Sequence, residues 1–174
     1  MFYADLKSPR IGILLPSRGI FLGGEDRSEV SHLFELAQMA EEAKLDSVWV
    51  GDSLFAKPRL EPLTTLAAVA VNPSHIRLGT AVLLAPLRHP VQLAQMAATV
   101  DLISNGRLVI GMGVGGVFTE SQKNEWNAVG ISHKERGARM AEIMQICRRL
   151  WTEDEVTFDG RFFTLDKVMM DPKP

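Results

Sequence analysis

The sequence predicts an α/β fold in which parallel strands alternate with helices. Short apolar runs and amphipathic stretches follow one another four times over. The runs are continuous instead of alternating with polar residues, as expected of strands covered on both faces. Each run ends in Gly, Pro, Ser or Asp before the next helical pattern begins.

Residues 11–16 (IGILLP) form the first strand, closed by Pro16-Ser17-Arg18-Gly19. A glycine-rich loop over 19–26 leads to a helix with Val30, Leu33, Phe34, Ala37 and Ala40 on one face; Asp26 with Glu29, or Ser28, would cap it. Residues 47–50 (SVWV) are the second strand, ended by Gly51-Asp52-Ser53, and 62–71 the second helix, with Pro62 in the first turn. The third strand spans 77–84. The third helix spans 90–104, with Leu93, Ala97 and Val100 inward and Asn105-Gly106 as its stop. The fourth strand is 107–112 (RLVIGM), and the fourth helix 135–151 turns Ala141, Met144, Cys147 and Leu150 to the core. Residues 156–158 and 162–165 then pair as a hairpin through an Asp159-Gly160 turn. Four βα units fit an open doubly wound sheet or the first half of a (β/α)8 barrel.

At 174 residues the chain reads as a single domain, 1–174. Hydrophobic residues make up 46% and charged residues 23%, which argues against disorder. A net charge of −2 without a basic run argues against a nucleic-acid partner. No apolar run approaches the ~20 residues of a membrane span, and MFYADLKSPR lacks a secretion signal's basic start and apolar core; a cytoplasmic protein is expected. Cys147, the one cysteine, is expected to pack in a helix. The four histidines form no i, i+4 pair, so no metal site is expected.

In parallel βα folds ligands bind where the strands end. Those ends carry Ser17 and Arg18, Asp52 and Ser53, the run Leu84 to His89, and the glycines around Gly113. Asp52 reads equally as a turn cap or a ligand contact, His89 as a helix start or a site residue. Three glycines in four residues suggest backbone approaching something flat. GMGVGG follows the fourth strand, not the first, and so is no dinucleotide fingerprint. With neither a metal cluster nor a nucleophile elbow, an organic cofactor would carry any chemistry.

The stretch GTAVLLAPLRHPVQLAQMAATVDLISNGRLVIGMGVG closely resembles the signature region of the bacterial luciferase-like monooxygenase family. SVWVGDS and ERGARMAEIMQICRRLWTEDEVTFDGRFFTL extend the likeness on either side. The family comprises FMN- and coenzyme F420-dependent oxidoreductases on a (β/α)8 barrel. The resemblance implies the TIM-barrel type of α/β fold, here its N-terminal half, four βα units plus a β-hairpin. It implies that the cofactor ring rests on the third strand, over a non-prolyl cis peptide at Ala81–Val82. Arg88 and His89 would lie on the rim, with Gly111, Gly113 and Gly115 letting the ring approach. Ser17 and Ser53 would complete the cofactor site, with Asp52 and His89 as catalytic residues. Asp52 stands where luciferases carry a histidine, and Val114 where they carry a phosphate-binding arginine; both departures lean toward F420 over FMN. The activity implied is hydride transfer with F420, or O2-dependent monooxygenation with FMN, on a small-molecule substrate.

Four strands are half of a barrel's eight, and two bare sheet edges invite pairing. A shortened chain, a proteolytic remnant and a natural half-barrel all fit. The last would complete itself as a homodimer or higher homo-oligomer. The alternative is a non-catalytic half-barrel, a scaffold or oligomeric subunit without cofactor.

Overall fold

In the computed structural model, which describes residues 9–21, 30–72 and 75–174, four strands lie side by side in chain order. They are β1 (Gly12–Leu14), β2 (Ser47–Val50), β3 (Arg77–Leu83) and β4 (Leu108–Met112). All pair parallel, with Gly12 level with Ser47, Ser47 with Arg77, and Leu78 with Leu108. Doubly wound sheets reverse their strand order at a switch point, and this sheet does not. The order is that of a half-barrel.

The helices are α1 (Ser31–Glu42), α2 (Pro62–Ala70), α3 (Pro90–Ile103), α4 (Glu120–Ala128) and α5 (Arg136–Thr152). Leu33, Ala37 and Ala40 of α1, Leu63 and Leu66 of α2, Leu93 of α3, and Ile143 and Ile146 of α5 bury against Val48, Val50 and Leu78 of the sheet. Below this core, Arg107 ties three segments together. Its guanidinium donates to the carbonyls of Ser104 (2.6 Å), Ile76 (2.9 Å) and Ala70 (2.7 Å). Among the described residues no helix is long and apolar enough to cross a membrane.

Four expectations need correction. The strands are covered on one face only. The row Leu14, Trp49, Gly79 and Val109, level in register, faces away from the helices, and Leu14 is 62% exposed. This is the side that lines the lumen in a closed barrel. Second, Ala141 and Met144 point outward, and Ile143 and Ile146 take their places beside Cys147 and Leu150. Successive steps of three fall about 60° short of a full turn, so a stripe at 141, 144, 147 and 150 drifts across the helix. Third, Asp159 pairs with Thr164 inside the hairpin of β5 (Val156–Asp159) and β6 (Thr164–Val168). Its loop is therefore 160–163, closed by Gly160 N–H donating to Phe163 O at 3.0 Å. Fourth, α4 is an added helix with few apolar residues. Thr119 and Gln122 start it with a reciprocal capping box. The cap expected from Asp26, Ser28 or Glu29 lies outside the described residues, as does most of the glycine-rich loop.

Candidate functional site

The carboxyl ends of the strands gather the polar residues, and the middle of that rim is a single carboxylate. Asp52, just past β2, receives the Leu84 N–H at 2.8 Å and Arg88 Nη1 at 2.5 Å on Oδ2, with Arg88 Nη2 3.2 Å from Oδ1. Its side chain is 1% exposed and that of Arg88 10%. Arg88 also reaches Glu61 Oε1 at 3.1 Å. Burial works to lower the Arg88 pKa, but Asp52 and Glu61 outweigh it and raise it. Glu61 is at the same time the cap of α2, accepting the Thr64 N–H at 2.7 Å. Burial pushes the Glu61 carboxyl up, yet the Thr64 bonds and the Arg88 charge hold it below the ordinary range. Asp52, Arg88 and Glu61 thus form a carboxylate–guanidinium–carboxylate chain that locks the end of β2 to the turn after β3.

A second carboxylate escaped the sequence reading. Glu125 of α4 is buried and accepts the Ser53 hydroxyl at 2.6 Å, the Phe55 N–H at 2.9 Å and the Ala56 N–H at 3.0 Å. Ser53 Oγ in turn accepts the Lys57 N–H at 3.0 Å. Burial raises the Glu125 pKa, but these donors outweigh it and bring it below the ordinary range. A Thr-x-x-Gln box six residues before Glu125 was the signal that a helix carries it.

Next to the Asp52–Leu84 contact β3 presents an apolar ledge. Its residues Leu78 to Thr80 are buried, then Ala81 and Val82 emerge, Val82 44% exposed. The Ala81–Val82 peptide is cis, at the bond where the family resemblance places one. The glycines on β4 make room for this ledge from within. A Cβ on Gly113 would strike the Val82 side chain, and one on Gly111 would lie 2.5 Å from Thr80 O. Gly115 has φ +76, a left-handed conformation, and packs near Trp126. At both positions the direction a Cβ would take is occupied by β3. Val114 beside them is exposed.

Ser17 is buried at the end of β1, its N–H donating to Leu15 O at 2.8 Å. His89 is not among the partners of Asp52. It caps α3, Nδ1 accepting the Val91 N–H at 3.3 Å, and its ring meets Phe163 edge-on at 5.5 Å. The structure thus joins Asp52 to Arg88, Ser53 to Glu125 and Val82 to Gly113, and turns His89 toward the hairpin. Away from all of these, a groove of ≈ 570 Å³ opens beside the free edge of β4, lined by Leu108, Ile110, Met112, Met140, Met144 and Trp151.

A sequentially ordered parallel half-barrel with a polar mouth defines the class: a (β/α)8-barrel protein. The sequence profile of the luciferase-like monooxygenases matches residues 10–174, and the chain belongs to that family. It is 38% identical over 151 residues to an F420-dependent glucose-6-phosphate dehydrogenase of Amycolatopsis mediterranei, covering 82% of this chain and 44% of the relative. It is 31% identical over 144 residues to the oxygenase component of a flavin-dependent trigonelline monooxygenase of Acinetobacter baylyi, covering 82% of this chain and 39% of the relative. Among solved structures, a monooxygenase from Streptomyces bottropensis superposes with a TM-score of 0.79 at 32% identity, over 95% of this chain and 50% of that one. An F420-dependent secondary alcohol dehydrogenase bound to an F420–acetone adduct shares the fold at a TM-score of 0.73 and 24% identity, over 95% of this chain and 49% of that one. The chain spans less than half the length of these curated relatives.

Proposed function

We propose that this chain carries the ring-binding half of a deazaflavin- or flavin-dependent oxidoreductase, with coenzyme F420 favoured over FMN. The observation that carries the reading is the Ala81–Val82 ledge. It is an exposed apolar surface near the carboxyl end of β3, just past its buried residues, on the rim where parallel βα folds hold ligands. A planar tricycle fits such a surface. When bound, the cofactor would supply hydride transfer at C5 of F420 or N5 of FMN, to or from a small organic substrate. The several F420-dependent relatives, and Asp52 where luciferases carry histidine, support F420.

The chain's own residues would build the seat. Asp52 orients Arg88 and the Leu84 amide, which fixes the turn at the ledge's edge. Ser53 and Glu125 hold the loop after β2, and Ser17, Val114 and Gly115 complete the rim. His89 caps α3 through Nδ1 with its ring against Phe163, and we assign it to holding the start of α3 at the rim in place of a catalytic role. Asp52, enclosed by its partners, positions the rim.

Titrating F420 and FMN separately while following fluorescence tests the reading. Micromolar binding of one, weakened at least tenfold by Val82→Asp, is expected. Silence from both in a folded sample would favour the cofactor-free scaffold. We also propose that a second copy covers the open sheet edges at β1 and β4. Light scattering should then give a homo-oligomer, and a stable monomer at micromolar concentration would overturn this.

A further inference from the structure

One guanidinium at the mouth lacks a counterion. Arg59 is half-buried, forms no salt bridge among the described residues, and has a buried Nε that donates to nothing. Its position is defined by Gly51, where an added Cβ would strike Arg59 Nη1 and lie 3.5 Å from Ala81 O. Gly51 continues the Ser47–Trp49 row, the face turned from the helices. The Arg59 head group therefore lies over the end of β2 on the lumen side, next to the ledge.

Both neighbouring carboxylates are committed elsewhere. Asp52 is taken up by Arg88 and the Leu84 amide, and Glu125 by three donors of the loop after β2. The other close charge is positive. Arg18 follows β1, which runs level with β2, and is exposed. Burial first, then repulsion from Arg18, lowers the Arg59 pKa. Asp52 and Glu125 still attract Arg59 at a distance, but neither forms a salt bridge or hydrogen bond with it among the described residues, so its guanidinium keeps an unused N–H. The Nε/Nη edge of a guanidinium is the edge that receives a carboxylate or phosphate with two parallel bonds.

We propose that Arg59, with Arg18 beside it, is an oxyanion-binding subsite that takes a carboxylate or phosphate monoester of the ligand lying on the Ala81–Val82 ledge. The ledge ligand rests on the reading given under Proposed function; the anion contact itself does not.

The test is a titration of the whole chain with inorganic phosphate, and separately with succinate, at constant ionic strength, following the arginine Nε–H resonances by 15N NMR. The Arg59 Nε–H should shift and saturate, and Arg59→Gln should abolish saturation. Arg18→Gln, an exposed change that leaves the core untouched, should weaken binding about tenfold, as loss of one charged hydrogen bond does. An Arg59 resonance that stays still up to about 50 mM of either anion, or one that responds equally in Arg18→Gln, overturns the proposal. Repeating the titration with saturating F420 or FMN locates the anion's source. Displacement of phosphate assigns the group to the cofactor, and undiminished binding assigns it to the substrate. Cofactor binding without an anion response sinks the subsite alone; an anion response without cofactor binding keeps the subsite and sinks the oxidoreductase reading.

Discussion

Arg88 grips Asp52 through two nitrogens, Nη1 to Oδ2 and Nη2 to Oδ1, across 36 residues of chain and with both side chains nearly out of solvent. The pair joins the carboxyl ends of β2 and β3, and Glu61 extends it to the start of α2. Removing one member of such a pair strands a buried charge, so breaking it costs far more than the pair contributes net.

Arg88→Met should therefore lower unfolding stability by about 3–5 kcal/mol. The double variant Asp52→Asn with Arg88→Met should recover part of that loss, because the buried Asp52 charge is gone and Glu61 is partly exposed. Arg88→Lys should fall between, since one ammonium cannot serve Asp52 and Glu61 together. Urea denaturation of the four proteins checks the order; equal losses in the single and double variants would contradict it.

Acid stability follows from Glu61 and Glu125. Both folded-state pKa values lie below the ordinary 4.5. In the interval between folded and unfolded values the unfolded chain binds more protons, so stability rises with pH there. The contribution is complete above the unfolded pKa and disappears as pH falls through the folded ones. Stability should hold from neutral to about pH 5 and then drop. Glu125→Gln should lower the plateau and flatten the drop, which a pH series of thermal melts would read.

Gly111 and Gly137 should respond oppositely to alanine. A Cβ at Gly111 meets the Thr80 carbonyl, backbone that cannot swing aside, beneath the ledge. Gly111→Ala should cost about 1–3 kcal/mol. Gly137 lies near the start of α5 with nothing within 4 Å of the added carbon, and Gly137→Ala should stabilise by about 0.5 kcal/mol. Chemical denaturation distinguishes the two signs.

Cys147 should be silent toward thiol reagents. It is buried, its Sγ lies 3.5 Å from Pro90 O, and burial pushes its pKa up to about 12. The thiolate is the reactive form. Iodoacetamide at pH 8 should leave the folded chain unlabelled and label it after denaturation, as mass spectrometry would show.

What could be read along the chain was whatever is local. Continuous runs at 47–50 and 77–84, the one-face spacing of Leu33, Ala37 and Ala40, and the Asn105-Gly106 stop all mark elements whose cause lies within a few residues. Asn105 and Gly106 do adopt positive φ, 55 and 77. The polar bias of the strand ends was legible for the same reason. The drift of the Ala141–Met144–Cys147–Leu150 stripe and the polar helix α4 mark where periodicity weakens as a guide, because few apolar positions fix the helix's phase.

The sequence by itself determined the βα alternation, the family and the rim on which polar residues gather. Only the tertiary structure decided which of those residues meet. Asp52 and Arg88, and Ser53 and Glu125, are separated by 36 and 72 positions. Strand order and register bring each pair together, so the partners depend on the packing of the whole sheet and its helices. Hydrophobic periodicity records which face a residue turns inward; it carries no trace of which distant side chain it will touch there.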